Sequence, residues 1–364
     1  MACTYPLYRV DVTGRASLLP SFLKQRVKTF STGSSAIVFG NDEKLFAEHT
    51  AKSIFREVQI VPCSQCLSCR IARSKEWALR IMLEASLYPH NYFVTLTYNE
   101  ESVPRGNFLY SDGRLEENQT NLRKSDCQAF LKRLLERCRQ KYNHVGIRRF
   151  VCGEYGSLTD RAHYHMILFN MPDLSSELTF YRQRDGIKLY TSSSIDAAWR
   201  SKNGTSLGIH TVGEVNYMSA AYCARYCVKK LTEPTKVTRE LSERIVDYED
   251  ISIRQPEFIM PSRAPGIARP FYDQHRDEIY EFDKLVFKVR ENSSVMQKPP
   301  KYFDYLYDLE EPDAMDEIKL SRKEAALASE EYRQAHSDLT REEYLQVKEN
   351  ILARRMEKLP RYEV

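Results

Sequence analysis

The chain has 364 residues, a formal net charge of +4 and a hydrophobic content of 42%. This length can bury a full core, and we expect a single catalytic domain with extensions. No stretch approaches the roughly 18 unbroken apolar residues of a membrane span, and the first residues lack the pattern of a signal peptide. These features exclude a membrane-spanning protein and predict a soluble protein of a reducing cytoplasm, whose nine cysteines are thiols or metal ligands.

The N-terminal part is notable for its cysteines. Residues 1–62 show no clear period, and we predict no helix or strand there. Cys63, Cys66 and Cys69 follow with a C-x2-C-x2-C spacing, which suits zinc or an iron–sulfur cluster. Three thiolates leave a tetrahedral site one ligand short, and Cys3 is the fourth ligand that we favour for a structural Zn²⁺. Free thiols or another ligand, such as His49 or Cys127, remain equal alternatives.

Periodicity predicts most of the central elements. We expect a helix at 67–87, a strand at 91–98, a loop at 104–113, a helix behind a capping box of Ser125 and Gln128, and paired strands at 147–152 and 163–169. Beyond a variable stretch, we expect a short helix near 197–199, a strand at 208–215 and a helix at 219–231. Residues 317–333 and 340–358 predict two further helices, the second behind a capping box of Thr340 and Glu343.

The order β-α-β-β-α-β predicts an α+β fold of the ferredoxin-like, split β-α-β type. Its antiparallel sheet should carry the helices on one face and leave the other face free for a site. We divide the chain into an N-terminal segment with the cysteines and first helix (1–90), a core (91–232) and a C-terminal extension (233–364) that is mostly helical after 302.

Two histidines supply the strongest chemical signal. His163 and His165 stand at i and i+2 in an apolar run, so on a strand both imidazoles leave one face. Glu154, at the end of the preceding strand, completes a set that can hold a divalent ion with open positions. The imidazoles favour Mn²⁺, whereas abundance favours Mg²⁺. The alternative is a pair of ordinary strand histidines, against which the following helix argues.

That helix carries Tyr222 and Tyr226, four residues apart and therefore on one face. A tyrosine hydroxyl is a weak nucleophile at neutral pH and needs a metal-polarised target or a nearby cation. Lys229 can supply the cation, which favours Tyr226 for the first attack on a phosphate and Tyr222 as the second nucleophile. Ordinary packing is the alternative for any single tyrosine.

Basic residues also cluster at 132–149, between the second helix and the following strand. A phosphate backbone would suit them, but a solvated helix face is an equally good explanation.

The motifs together resemble a known superfamily. His163-Tyr-His165 is similar to the His-hydrophobic-His motif of HUH endonucleases, Phe93-Val-Thr-Leu-Thr97 to their first strand motif, and Tyr222-x3-Tyr226-x2-Lys229 to their two-tyrosine version. Further motifs resemble gokushovirus replication initiators: Pro62-Cys-x2-Cys-x2-Cys69-Arg, Cys152-Gly-Glu-Tyr-Gly156, Val212-Gly-Glu-Val215, Ser219-Ala-Ala-Tyr222 and Ser262-Arg-x-Pro-Gly-Ile267. One departure is Ala162, where many relatives have proline before the first histidine.

The resemblance implies a rolling-circle replication initiator, a site-specific endonuclease that nicks single-stranded origin DNA and rejoins it. His163, His165 and Glu154 would bind Mg²⁺ or Mn²⁺, and Tyr226 and Tyr222 would form 5′-phosphotyrosyl links. No G-x4-G-K-[ST] loop is present, so unwinding would need a host helicase, with a host polymerase, in the bacterial cytoplasm.

Two rivals remain open. A non-catalytic, zinc-stabilised DNA-binding protein would use the same histidines and tyrosines only to contact bases and phosphates. A His-x-His metallohydrolase would use water directly and leave no protein on the DNA.

Overall fold

The computed structural model describes Cys3 and residues 7–12, 27–29, 35–38, 55–64, 66–109, 115–156, 159–184, 187–229, 254–290 and 293–357. These residues form two compact units. The first unit comprises the described residues of 1–72 and 330–360, and the second unit comprises those of 73–329. The predicted boundaries at 90 and 232 stay predictions.

The strands and helices alternate along most of the chain. In order they are β1 (Leu7–Val12), β2 (Val27–Thr29), β3 (Ser35–Val38), β4 (Phe55–Val61), α1 (Leu67–Ala85), β5 (Tyr92–Tyr98), β6 (Arg105–Leu109), β7 (Leu115–Thr120), α2 (Lys124–Tyr142), β8 (Arg148–Tyr155), β9 (Ala162–Phe169), β10 (Leu178–Arg184), β11 (Ile187–Ser192) and α3 (Ser193–Ala198). They continue with β12 (Gly208–Glu214), α4 (Tyr217–Lys229), β13 (Phe258–Pro261), α5 (Arg269–Phe282), β14 (Leu285–Arg290), β15 (Ser293–Gln297), α6 (Lys301–Glu310), α7 (Pro312–Ala335) and α8 (Arg341–Glu357).

The first unit contains a four-stranded antiparallel sheet in the order β2-β3-β1-β4. The prediction of no element before residue 63 is therefore wrong. A strand signal is present in β1, where Tyr8, Val10 and Val12 alternate with charged Arg9 and Asp11. The alternation is short, and its pairing partners lie far along the chain, so the local pattern alone does not reveal a sheet.

The second unit is built on a seven-stranded antiparallel sheet in the order β10-β11-β12-β5-β9-β8-β13. Its four inner strands, β12-β5-β9-β8, with α2 and α3 as the crossover helices, have the predicted split β-α-β arrangement. Apolar side chains of α2 and α3, including Phe130, Leu134 and Ile195, pack with Val94 and Met166 of the sheet in one core cluster. The α+β, ferredoxin-like prediction is confirmed.

The opposite face of this sheet is also covered, contrary to the prediction of a free face. A second core cluster joins α1, α4, α5 and α6 to Phe150, Ile167 and Phe169 of the sheet. The cause is visible in β9, all eight of whose residues are buried. A strand that is apolar on both sides requires a layer of structure on each. The site lies within this second layer, not on an open surface.

Several elements differ from the predictions. The predicted loop at 104–113 contains most of the β6–β7 hairpin, and the variable stretch before α3 contains the β10–β11 hairpin. The capping box at Ser125 is wrong, because α2 begins at Lys124 and its N-cap, Arg123, makes no side-chain capping bond. The hydroxyl of Tyr164 instead accepts a hydrogen bond from the Arg123 amide at 2.9 Å.

The C-terminal extension is partly helical, as predicted. It contains α6, α7 and α8, but residues 254–297 also supply β13, α5 and the β14–β15 hairpin, which the sequence analysis did not predict. The capping box of α8 is confirmed: the Glu343 amide donates to Thr340 Oγ1 at 3.3 Å, and the Thr340 amide donates to Glu343 Oε2 at 2.9 Å. No helix in the described part of the chain is long and apolar enough to span a membrane.

Candidate active site and metal centre

His163 and His165 lie on β9, inside the sheet, and their imidazoles leave the same face. Both side chains are buried, as is Glu154 on the neighbouring strand β8. Register explains the meeting, because Glu154 pairs directly with His163 across the β8–β9 ladder. Their potential ligand atoms all lie within 4.8 Å of one another. We call these three residues the acid–histidine group.

One carboxylate oxygen is the centre of the group. Glu154 Oε1 lies 2.6 Å from His163 Nε2 and 2.8 Å from His165 Nε2. The other oxygen, Oε2, is buried and has no hydrogen-bond partner among the described residues. A buried oxygen of an ionised carboxylate without a partner is costly, and a bound cation would remove that cost.

The outer nitrogens hold the two rings in place. His163 Nδ1 lies 2.9 Å from the Arg161 carbonyl oxygen, and His165 Nδ1 lies 2.8 Å from Thr95 Oγ1. A carbonyl only accepts, so His163 carries a proton on Nδ1. Its Nε2, beside a carboxylate, then needs either a second proton or a metal ion. Such outer contacts are typical of metal-ligating histidines, and the donor set fits a divalent ion.

Electrostatics keep the group charged. Burial alone would raise the pKa of Glu154, but the two imidazoles outweigh burial and lower that pKa to about 2. Burial lowers the pKa of His165 despite the neighbouring carboxylate. Glu154 is therefore ionised at neutral pH, next to an imidazole that resists carrying a proton.

Tyr222 of α4 reaches the group from the covering layer. Its side chain is 7% exposed, and its hydroxyl lies 3.4 Å from both Glu154 Oε1 and His165 Nε2. The Arg225 guanidinium lies 5.5 Å from the centre of the Tyr222 ring. Tyr226 and Lys229 lie further along α4, but their side chains are outside the described part of the structure.

The four predicted cysteines also come together. Cys3, Cys63, Cys66 and Cys69 place their sulfur atoms within 4.8 Å of one another in the first unit. We call them the cysteine group. Of the alternative ligands, Cys127 is buried in the core of the second unit, and His49 lies outside the described residues.

The basic stretch at 132–149 is used largely within the protein. Arg133 donates to the Ala198 carbonyl oxygen, Arg137 to Ser194, Arg148 to Glu84 and Lys141 to Glu177. These contacts favour the structural explanation of the cluster.

Comparison with known proteins places the chain in a family. The model for the replication-associated protein ORF2 family matches residues 91–231. The replication-associated protein ORF2 of Spiroplasma virus 4 is 33% identical over 302 residues, which cover 81% of this chain and 84% of that protein. The chain belongs to the replication-associated protein ORF2 family.

Two other phage proteins are similar to this ORF2 family member. The replication-associated protein VP4 of Bdellovibrio phage phiMH2K is 27% identical over 288 residues, 76% of this chain and 79% of that protein. The replication-associated protein ORF4 of Chlamydia phage 1 is 28% identical over 174 residues, 47% of this chain and 38% of that protein. No solved structure matches the chain significantly. The resemblance to gokushovirus replication initiators is confirmed.

The structure of this ORF2 family member adds residues that the sequence analysis did not single out. The Phe93 ring stacks on His165, with centroids 5.7 Å apart and planes at 8°. Phe93, His165 and Tyr222 line one side of a largely apolar pocket, and Arg182 and Leu189 of the β10–β11 hairpin line another. Phe93 and Thr95 were visible as a strand motif, but the hairpin gave no signal that tied it to the histidines.

Proposed function

We propose that the chain is a rolling-circle replication initiator that nicks single-stranded DNA by tyrosine attack. The observation that carries this proposal is the position of the Tyr222 hydroxyl, 3.4 Å from two members of the acid–histidine group. A phenol, two imidazoles and an ionised carboxylate within such distances are suited to phosphoryl transfer. His163, His165 and Glu154 would hold Mg²⁺ or Mn²⁺.

The chemistry balances without an external energy source. A divalent ion bound by the group withdraws charge from the scissile phosphate and from the departing 3′-oxygen. The tyrosine oxygen bonds to phosphorus, the bond from phosphorus to the 3′-oxygen breaks, the phenolic proton passes to solvent, and the 3′-oxygen takes up a proton. The 5′-phosphotyrosyl link keeps the phosphodiester's energy, so a free 3′-hydroxyl can reverse the step and rejoin the strand.

Two tyrosines allow a second round on the same protein. Tyr226 lies one helical turn beyond Tyr222 along α4. The first link would be held on one tyrosine while the other cleaves the strand again, and Lys229 would provide a cation near the phosphate. The position of Tyr222 favours it for the first attack, whereas the adjoining lysine favours Tyr226.

The partners follow from this role. Single-stranded DNA at the phage origin would be the substrate, entering beside Tyr222 and the pocket next to it. A host helicase and a host polymerase would unwind and copy the DNA, and the protein would act in the cytoplasm of the host bacterium. The homologues named as replication-associated proteins support this placement.

The test is to incubate the protein with the circular single-stranded genome of its phage and Mn²⁺. Covalent protein–DNA adducts are then mapped by mass spectrometry for the wild type, Tyr222→Phe, Tyr226→Phe and Tyr222→Phe/Tyr226→Phe. Tyr305→Phe is the matched control, because this tyrosine is 61% exposed on α6. We expect an adduct on one or both tyrosines of α4, none in the double variant, and an unchanged yield in Tyr305→Phe.

Other outcomes favour the rivals. Cleaved DNA without an adduct in the wild type would identify a metallohydrolase that activates water. Tight binding without cleavage, at any divalent ion concentration, would identify a non-catalytic, zinc-stabilised DNA-binding protein.

A further inference from the structure

The cysteine group lies in the first unit and is not used by the proposed nicking chemistry. Cys3 comes from the N-terminal segment, Cys63 and Cys66 lie immediately before α1, and Cys69 lies in its first turn. None of these four described cysteines is in a disulfide, and Cys66 is buried while the other three are half-buried. Residues from positions 3 and 63–69 thus form one compact set of soft ligands.

The sulfur spacing suits one ion better than a pair of disulfides. Cys3 Sγ lies 3.7 Å from Cys66 Sγ. Tetrahedral zinc with Zn–S bonds of about 2.3 Å holds its sulfurs about 3.8 Å apart. A disulfide would need the two sulfurs at about 2.05 Å. Four sulfur donors and no oxygen donor favour Zn²⁺ over Mg²⁺ or Mn²⁺.

Backbone amides point at the sulfurs, as expected around thiolates. The Cys63 amide donates to Cys3 Sγ at 3.2 Å, and the Cys66 amide donates to Cys63 Sγ at 3.2 Å. The turn between them depends on Ser64, whose φ of 62° lies in the left-handed region. Cys66 precedes the 19-residue helix α1, so the positive end of the helix dipole also faces the group. These dipoles offset part of the negative charge of four thiolates around a divalent ion.

The same helix start is bound by the C-terminal part of the chain. The Leu67 amide, which has no partner within α1, donates to Glu349 Oε1 of α8 at 3.2 Å. Leu67 lies between two of the cysteines, so fixing the cysteines also fixes the donor that Glu349 needs. Residues from both ends of the sequence therefore meet at one turn.

We infer that Cys3, Cys63, Cys66 and Cys69 bind one Zn²⁺ in a closed, structural site that holds the N-terminal segment and α8 to the start of α1. No position is left open for a substrate, because four sulfurs complete the tetrahedron. The site orders the first unit and takes no part in cleavage of DNA.

The experiment is metal analysis of the purified full-length chain, with hydrogen exchange of α8 as a second measurement. We expect about one zinc per chain in the wild type, and less than about a tenth of that in Cys3→Ser and Cys66→Ser. Cys138→Ala is the matched control, since Cys138 is a buried free thiol outside the group, and it should keep its zinc. Cobalt-loaded wild type should show the thiolate-to-cobalt absorption of a tetrahedral site, and Cys66→Ser should lose it.

Glu349→Gln separates the metal from the helix contact. It should keep its zinc but exchange the amides of α8 faster, whereas Cys66→Ser should lose zinc and also speed exchange in α8. The inference fails if the wild type binds no zinc, if iron is found in its place, or if either cysteine variant keeps a full equivalent. None of these measurements depends on nicking, so failure here is distinct from failure of the proposed function.

Discussion

The two candidate metal groups are built in opposite ways. The acid–histidine group takes all its ligands from one hairpin, β8–β9, where sheet register fixes their positions. The cysteine group takes its ligands from residues far apart in the sequence and has sulfur donors only. The first has a buried oxygen without a partner among the described residues and a tyrosine at its edge, whereas the second fills its own coordination. The contrast teaches that donor type and unfilled bonding capacity, more than the presence of ligands, separate a reactive centre from a structural one.

The largest effect should follow loss of the structural ion. Cys66→Ser should lower the unfolding free energy of the first unit by on the order of 5 kcal/mol, since structural zinc sites contribute roughly 10–16 kcal/mol in small domains. Hydrogen exchange of β1 and β4 amides at increasing urea concentrations measures this change, and Cys138→Ala is the control. Equal stability of Cys66→Ser and wild type would break the comparison, because the cysteine group would then have no structural role.

His165→Ala tests the reactive side of the comparison. Losing one ligand should cost several kcal/mol of transition-state stabilisation, so single-turnover nicking should slow by about a thousandfold. Zinc content should not change, because His165 is not part of the cysteine group. Nicking at the wild-type rate would show that the acid–histidine group is not the reactive centre.

Thr95→Val removes the hydroxyl that orients His165 but leaves every ligand in place. The affinity for Mn²⁺ should fall about 10- to 100-fold. The Mn²⁺ concentration that gives half-maximal nicking measures this change, and high Mn²⁺ should restore the maximal rate. Thr95→Ser keeps a hydroxyl and should behave as the wild type; if it shared the full defect, packing and not the hydrogen bond would be responsible.

The smallest effect concerns Glu177, whose pKa, like that of Glu154, is about 2. Burial would raise this pKa, but hydrogen bonds from Lys141 and from the hydroxyls of Ser192, Ser193 and Ser194 lower it. Both its oxygens have partners, so a low pKa by itself does not mark a metal site. Glu177→Gln should reduce stability by about 1 kcal/mol at neutral pH and leave nicking unchanged.

The sign of its pH dependence follows from the depressed pKa. The stabilisation by Glu177 is complete above its unfolded pKa, near 4.5, and is lost as pH falls towards about 2. The wild type and Glu177→Gln should therefore unfold at more similar urea concentrations as the pH is lowered through this range. A difference that stays constant down to about pH 3 would contradict the assignment.

The sequence was sufficient where a pattern is local. The spacing of His163 and His165, the apolar stripe of α2 and the capping box of Thr340 and Glu343 each depend on a few neighbouring residues, and the structure contains all three. The split β-α-β order followed because the four inner strands are strongly apolar.

What the sequence did not reveal depends on distant pairing. The strands β10 and β11 lie at the edge of the sheet and are largely exposed, so no clear hydrophobic period marks them. The covering layer could have been foreseen from β9, since Tyr164 and Met166 alternate with Ile167 and Phe169 and leave no polar face beyond the histidines. The contact between Thr95 and His165 required the register of β5 against β9, which sequence spacing does not supply.

The hydrogen bond between Leu67 and Glu349 joins residues 282 positions apart. Closing a loop of that length in an unfolded chain costs about 5 kcal/mol of entropy, far more than one hydrogen bond returns. We therefore expect this contact to form late in folding, after the large sheet has brought the two ends of the loop nearer together. In the reverse direction, α8 should detach from α1 before the sheet opens, which makes the meeting of the chain's two ends the first part of the protein to respond to heat or denaturant.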